Sequence, residues 1–201
     1  KIYNYKMSPK GFFYLRYLQW KMYFSKNPYI KALFYLENYL FENYNDDENI
    51  ISNLKIKWIY DHLSKGDFSN EITKNLIVLN NKNFIEKALN LIELYSDLIS
   101  SEDETNFIKK FMKFNNEFNS LLELFDAKDF KSLYLFQLLQ FKYVNKLNIN
   151  YDLLNDYFFK INKDSVDIFE LVFIEIFLKK KKMKIDKAYY LFKLLLYSIK
   201  K

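Results

Sequence analysis

Two glycines and two prolines in 201 residues leave this chain few places to reverse direction sharply, because those residues supply the unusual φ values of tight turns. Such a chain favours long helices joined by polar turns over many short strands. Half of its residues are hydrophobic and a fifth aromatic, which is enough apolar surface to argue against intrinsic disorder. The length suits one domain with a core of several helices. The expectation is an all-α bundle, one domain over residues 1–201, with no repeat of fixed period and no interdomain linker.

Punctuation along the chain marks the helices. Ser8-Pro9 is a start signal, Ser as N-cap and Pro in the first turn, for a helix to about Ser25. Asn27-Pro28 repeats it for a helix to about Tyr44. Asp67 and Ser69 open a shorter helix carrying Ile72, Leu76 and Leu79. After an asparagine turn (Asn80, Asn81, Asn83), Phe84–Ile99 places Ile85, Leu89, Ile92 and Tyr95 on one face. Helices are also predicted over Glu104–Phe125, Phe130–Lys146 and Tyr151–Ile161. Another, capped by Asp164-Ser165, carries Ile168, Leu171, Val172, Ile174, Glu175 and Phe177. The last, opened by Asp186, gives residues 164–199 an amphipathic character.

The most informative stretch is Ile51–Gly66. Asp46, Asp47, Glu48 and Asn49 precede it as complements to a helix N-terminus, and Gly66 follows as a residue tolerant of positive φ. Ile51, Leu54, Trp58 and Ile59 recur at three- and four-residue steps, a stripe expected to face a core.

The same stretch resembles a helix of the squalene/phytoene synthase superfamily, with Trp58, Asp61, Leu63 and Gly66 in register and Lys55 where the family has arginine. Lys31–Tyr44 resembles the family's first long helix. Asn90–Phe125 is similar to its next helical pair, with Asp97, Leu98 and Phe107 in place. The likeness spans about residues 30–155 and implies an isoprenoid synthase-like fold. Catalytic members hold Mg²⁺ on two facing aspartate-rich motifs, which stabilise a diphosphate leaving group. At the first motif this chain has Glu37 and Glu42, five apart and on different helix faces, and no aspartate. At the second, Gln137-Leu138 survives, and the run to Asn145 carries no carboxylate. Glu37 and Glu42 are expected to be solvated, and Leu138, Leu139 and Phe141 to be core.

Loss of those ligands resembles the superfamily's non-catalytic branch, whose type is a mitochondrial complex I assembly factor. The resemblance implies a non-enzymatic subunit or assembly factor of a large mitochondrial complex, respiratory chain or mitochondrial ribosome. Its location would be the matrix or the inner membrane surface, its partners the proteins of that complex, and it would need no catalytic residue, cofactor or metal. The competing expectations are a prenyl diphosphate-binding or prenyl-transferring enzyme, and a basic binder of RNA or membrane.

Charge bears on the last of these. Net charge is +6 and the pI about 9.1, which permits rRNA or an anionic lipid surface as partner, although heavy use of Lys, Asn, Ile, Tyr and Phe also fits an AT-rich genome. Lys179, Lys180, Lys181, Lys182, Lys200 and Lys201 bracket a terminal helix rich in Tyr189, Tyr190, Leu191, Phe192, Leu194, Leu195 and Leu196 and mark the candidate anionic surface. Without cysteine, disulfides and thiolate chemistry are excluded. With His62 as the only histidine, so are histidine clusters; its place at a charged helix end predicts a surface or partly buried ring. No apolar run reaches the ~20 residues of a membrane span. The start at Lys1 suggests a processed or partly represented chain.

Overall fold

The computed structural model describes residues 12–44, 49–101, 103–127, 130–145, 147, 151–161, 166–180, 190–191 and 193–196. Among them every regular element is a helix: α1 Phe12–Tyr23, α2 Pro28–Glu42, α3 Asn49–Ser64, α4 Glu71–Lys74, a 3-10 turn Ile77–Leu79, α5 Lys82–Ile99, α6 Glu104–Leu124, α7 Tyr134–Val144, α8 Tyr151–Phe159 and α9 Ile168–Lys180. The chain is all-α. The elements group into two compact units, Tyr23–Phe130 and a second drawn from Lys1–Met22 with Lys131–Lys201.

In the unit Tyr23–Phe130, asparagine and aspartate do the capping that glycine-poor loops require. Asn27 accepts from the N–H groups of Tyr29 and Ile30, with Pro28 in the first turn. Asn81 opens α5 through the N–H of Asn83, and Asp103 opens α6 through that of Asn106. The cap after Gly66 differs from expectation. Asp67 folds into a local turn with Ser69 (Oδ1 accepts from the N–H at 3.0 Å and from Oγ at 2.7 Å). Asn70 is the N-cap instead, and the predicted helix is one turn of α4 followed by the 3-10 turn.

α5 and α6 form the centre of this unit. Lys87 of α5 donates to Ser120 of α6, and Lys110 of α6 pairs with Asp97 of α5 at 2.8 Å, so the two run antiparallel. Between them and α2 lie Phe41, Tyr95, Phe111 and Phe114, all buried, with ring centroids 5.8–6.2 Å from Phe41. The buried face of α5 is Ala88, Leu91, Ile92, Tyr95, Leu98 and Ile99. Ile85 and Leu89, expected on it, are only half-buried at its edge. Glu37 of α2 is fully buried, contrary to the expectation that it is solvated, whereas Glu42 is exposed. The 3.6-residue period explains the difference: Glu37 falls between Leu40 and Phe41 on the inward arc of α2 and Glu42 beyond it.

The second unit packs α1 up to Met22 with α7, α8 and α9. α7 begins at Tyr134 rather than Phe130, and the Leu133 N–H, which has no partner within the helix, donates to the Glu170 carboxylate at 2.7 Å. Leu138, Leu139 and Phe141 are core as expected. α9 is apolar nearly all round, with Phe169, Leu171, Val172, Phe173, Ile174, Ile176, Phe177 and Leu178 buried, the mark of a central helix. Tyr190, helical and buried, donates through its hydroxyl to the carbonyl of Phe169 at 2.9 Å. The Ser8-Pro9, Asp46–Glu48, Asp164-Ser165 and Asp186 signals lie outside the described residues, as do Tyr189 and Phe192.

Candidate functional site

Of the apolar stripe expected to face the core, α3 fully buries only Ile59 and turns Ile51 and Leu54 outward. Ser52, Ile56, Ile59 and Leu63 are buried, a set spaced four, three and four residues apart. Ile51 and Leu54 are 42% and 60% exposed, Ile50 is 77% exposed, and Trp58 is half-buried. Apolar residues occupy two arcs of this helix, so periodicity alone selects the wrong one. Ser52 is the polar residue that the inner arc conceals.

The motif residues separate accordingly. Leu63 belongs to the core. Gly66 closes the helix with φ 66°. Lys55 is exposed with Lys57, and Asp61 is half-buried. Trp58 and His62 pack against each other on the outer side, ring centroids 4.1 Å apart and planes tilted by 38°, and the His62 Nδ1 sits 2.9 Å from the Trp58 carbonyl oxygen. His62 is partly buried, as its position at the helix end predicted, and its Nε2 lies 3.6 Å from Asp67. The Asp67 carboxyl is held low, chiefly by its hydrogen bonds from Ser69 and less by His62. Tyr39 of α2 reaches the Lys55 carbonyl at 3.4 Å, with burial raising its pKa. Tyr60 donates to Glu93 of α5 at 2.8 Å. These contacts hold α3 from both sides and leave the Ile50–Trp58 edge open.

An aromatic groove of about 610 Å³ lies elsewhere in the same unit, where the turn before α2 meets the end of α6. Tyr29 stacks on Phe125 at 5.3 Å, and Phe84 stands edge-on to both. Asn27 ties the walls together, its Nδ2 donating to the Phe125 carbonyl at 2.6 Å. Lys26 and Asp126 give the rim one charge of each sign. The sequence pattern did not announce this groove, since its walls come from residues about a hundred apart.

The second unit holds a buried polar cluster that sequence reading also missed. Arg16 Nη1 donates to Glu170 Oε1 and to Gln19 Oε1, both at 2.9 Å, and Nη2 donates to Ser132 at 2.8 Å. The guanidinium also lies 4.7 Å over the Phe136 ring. Gln19 Nε2 donates to Asp167 at 2.8 Å. Burial pushes the Glu170 carboxyl up to about 7 against the opposing pull of Arg16, and Asp167 adds to the rise. One signal was available: Arg16 is the only arginine in a lysine-rich sequence, and a planar five-donor fork is what such a cluster needs.

Among the described residues no group of three or more His, Asp or Glu converges so as to hold a metal ion, and no helix is long and apolar enough to cross a membrane. Lys179 is exposed at the end of α9, and Lys180 follows it in the helix. Lys181, Lys182, Lys200 and Lys201 lie outside the described residues. Compared with protein-family models, curated proteins and solved structures, the chain matches none.

Proposed function

We propose that this chain is a non-enzymatic helical subunit or assembly factor that works by docking to another protein. The observation that carries the reading is the edge of α3, where Ile50, Ile51, Leu54 and Trp58 face outward together while the opposite arc of the helix is core. Single exposed apolar residues are ordinary, but a contiguous set on one helix edge is the feature that marks interaction surfaces. Glu37 and Glu42 add support, because one is buried and the other exposed, so they do not converge on one cation as a diphosphate-binding site requires.

The resemblance of Lys55–Gly66 to the non-catalytic squalene/phytoene synthase branch supports an isoprenoid synthase-like arrangement over about 30–155. It also supports a place in a large mitochondrial complex, of the respiratory chain or the ribosome. The test is a gentle pull-down of the tagged protein from mitochondria, sized on a gradient and read by mass spectrometry. Sedimentation with ribosomal or respiratory-chain subunits is the expected result. Migration alone at monomer size overturns the reading, and a heat shift produced by Mg²⁺ with a prenyl diphosphate would put an enzyme in its place.

A further inference from the structure

We propose that the outer edge of α3 is one half of a two-helix seam, and that its partner is a helix with acidic residues flanking an apolar stripe. This rests on the docking reading above and names the partner's chemistry. Ile51, Leu54 and Trp58 are spaced three and then four residues apart, the step of a coiled-coil seam. Lys55 and Lys57, both exposed, fall on the two sides of that seam, where side chains meet the charges that border the opposite helix and set partner choice. Ile50 extends the apolar end. Asp61 takes the next seam position, so the apolar part spans the seven steps from Ile51 to Trp58, about 10 Å at 1.5 Å per residue.

The occupant follows from charge. A second copy of this chain is disfavoured: antiparallel helices set each lysine-bearing flank against its own copy, and parallel helices set Lys55 opposite Ile50 and Lys57 opposite His62, so neither lysine gains an acidic partner. An acidic border pairs with both lysines in either direction. A lipid surface fits less well: Ser52, Ile56, Ile59 and Leu63 anchor the other arc of α3 in the core, so the helix cannot roll a broad apolar face into the headgroups. The same anchoring presents the seam ready-formed, which lowers the ordering cost of binding. Trp58 is the large anchor of the kind that dominates interface energy.

The test uses the full chain and two synthetic peptides of about three heptads, with Ile and Leu at the seam positions and either Glu or Lys on both flanks. Fluorescence anisotropy of the labelled peptide reads binding. The Glu peptide is expected to bind at least about tenfold more tightly than the Lys peptide and to weaken as salt rises. The double variant Lys55→Glu/Lys57→Glu reverses the preference, and Leu54→Glu abolishes both. Equal binding of the two peptides, no binding of either, or a preference that survives the double variant overturns the proposal. So does capture by phosphatidylserine vesicles that the double variant removes while neither peptide binds. Failure here is separable from failure of the docking reading: if wild type and Leu54→Glu both sediment with the complex, the chain docks through another surface.

Discussion

Gly66 and Asp126 occupy the same place at the ends of two helices, each in left-handed backbone just past the last turn, at φ 66° and 64°. After α3 the Gly66 N–H bonds the Leu63 carbonyl at 3.1 Å and the Asp67 N–H bonds that of His62 at 2.8 Å. After α6 the Asp126 N–H bonds Glu123 at 3.3 Å and the Ala127 N–H bonds Leu122 at 3.0 Å. Both are Schellman closures, a role usually filled by glycine because a Cβ crowds the carbonyl in that conformation. At Gly66 the glycine is present. At Asp126 an aspartate accepts the strain, on the rim of the aromatic groove.

The pair predicts opposite responses to exchange. Gly66→Ala lowers stability by about 1 kcal/mol; a Cβ there would stand 3.8 Å from the Asn80 side chain, an ordinary contact, so the cost is conformational. Asp126→Gly raises stability by about 0.5–1 kcal/mol. Urea midpoints at unchanged slope measure both. A lowered midpoint for Asp126→Gly would show that the carboxylate makes a compensating interaction at the groove.

These end signals were legible because capping is local chemistry. Asn27-Pro28, Gly66 and the acidic start of α6 each act within a few residues, and each stands where the pattern put it. Faces were harder. On α3, where apolar residues fill two arcs, only tertiary packing decides that Ile56 goes inward and Leu54 outward. Glu37, expected at the solvent, shares its arc with the buried Leu33 and Leu40. Arg16 and Glu170 are 154 residues apart, a pairing that no window of sequence contains.

The Arg16–Glu170 pair is strongly non-additive. Both side chains are fully buried at 2.9 Å, so removing one leaves its partner's polar groups without their main contact, at a cost of about 3–5 kcal/mol. Arg16→Met and Glu170→Met each fall in that range, and the double variant costs less than the two combined. Arg16→Lys does not restore stability, because an ammonium lacks the fork that reaches Ser132 and Glu170 together. Denaturant melts of the four-member cycle give the coupling. Additive single effects would refute it.

The same carboxyl gives stability a pH slope. Burial raises Glu170 from 4.5 to about 7 in the folded chain, despite Arg16. Between those two values the folded state holds a proton that the unfolded state has released, so stability falls as pH rises through the window and the contribution is lost above about 7. Midpoints measured from about pH 5 to pH 8 should decline, and Glu170→Gln should flatten the decline. A rise over the same range would show that attraction to Arg16 outweighs burial.

Asn27 joins two jobs that one substitution can divide. Its Oδ1 accepts from the Tyr29 and Ile30 N–H groups at 3.0 and 3.2 Å, which caps α2. Its Nδ2 donates to the Phe125 carbonyl at 2.6 Å, which fixes the end of α6 beside that cap. Asn27→Asp keeps the acceptor and complements the helix dipole, but it sets a carboxylate oxygen against the Phe125 carbonyl. Asn27→Ala loses both contacts. Alanine is therefore expected to cost about 1–2 kcal/mol from the cap alone, plus about 1 kcal/mol for the lost link. Aspartate should cost about 1 kcal/mol from the link alone, and more as pH rises and the carboxyl ionises. Hydrogen exchange separates the two roles: Asn27→Asp should speed exchange around Phe125 while the first turn of α2 stays protected. If both variants loosen α2 equally and leave Phe125 unaltered, the tie between the two helices carries no stability.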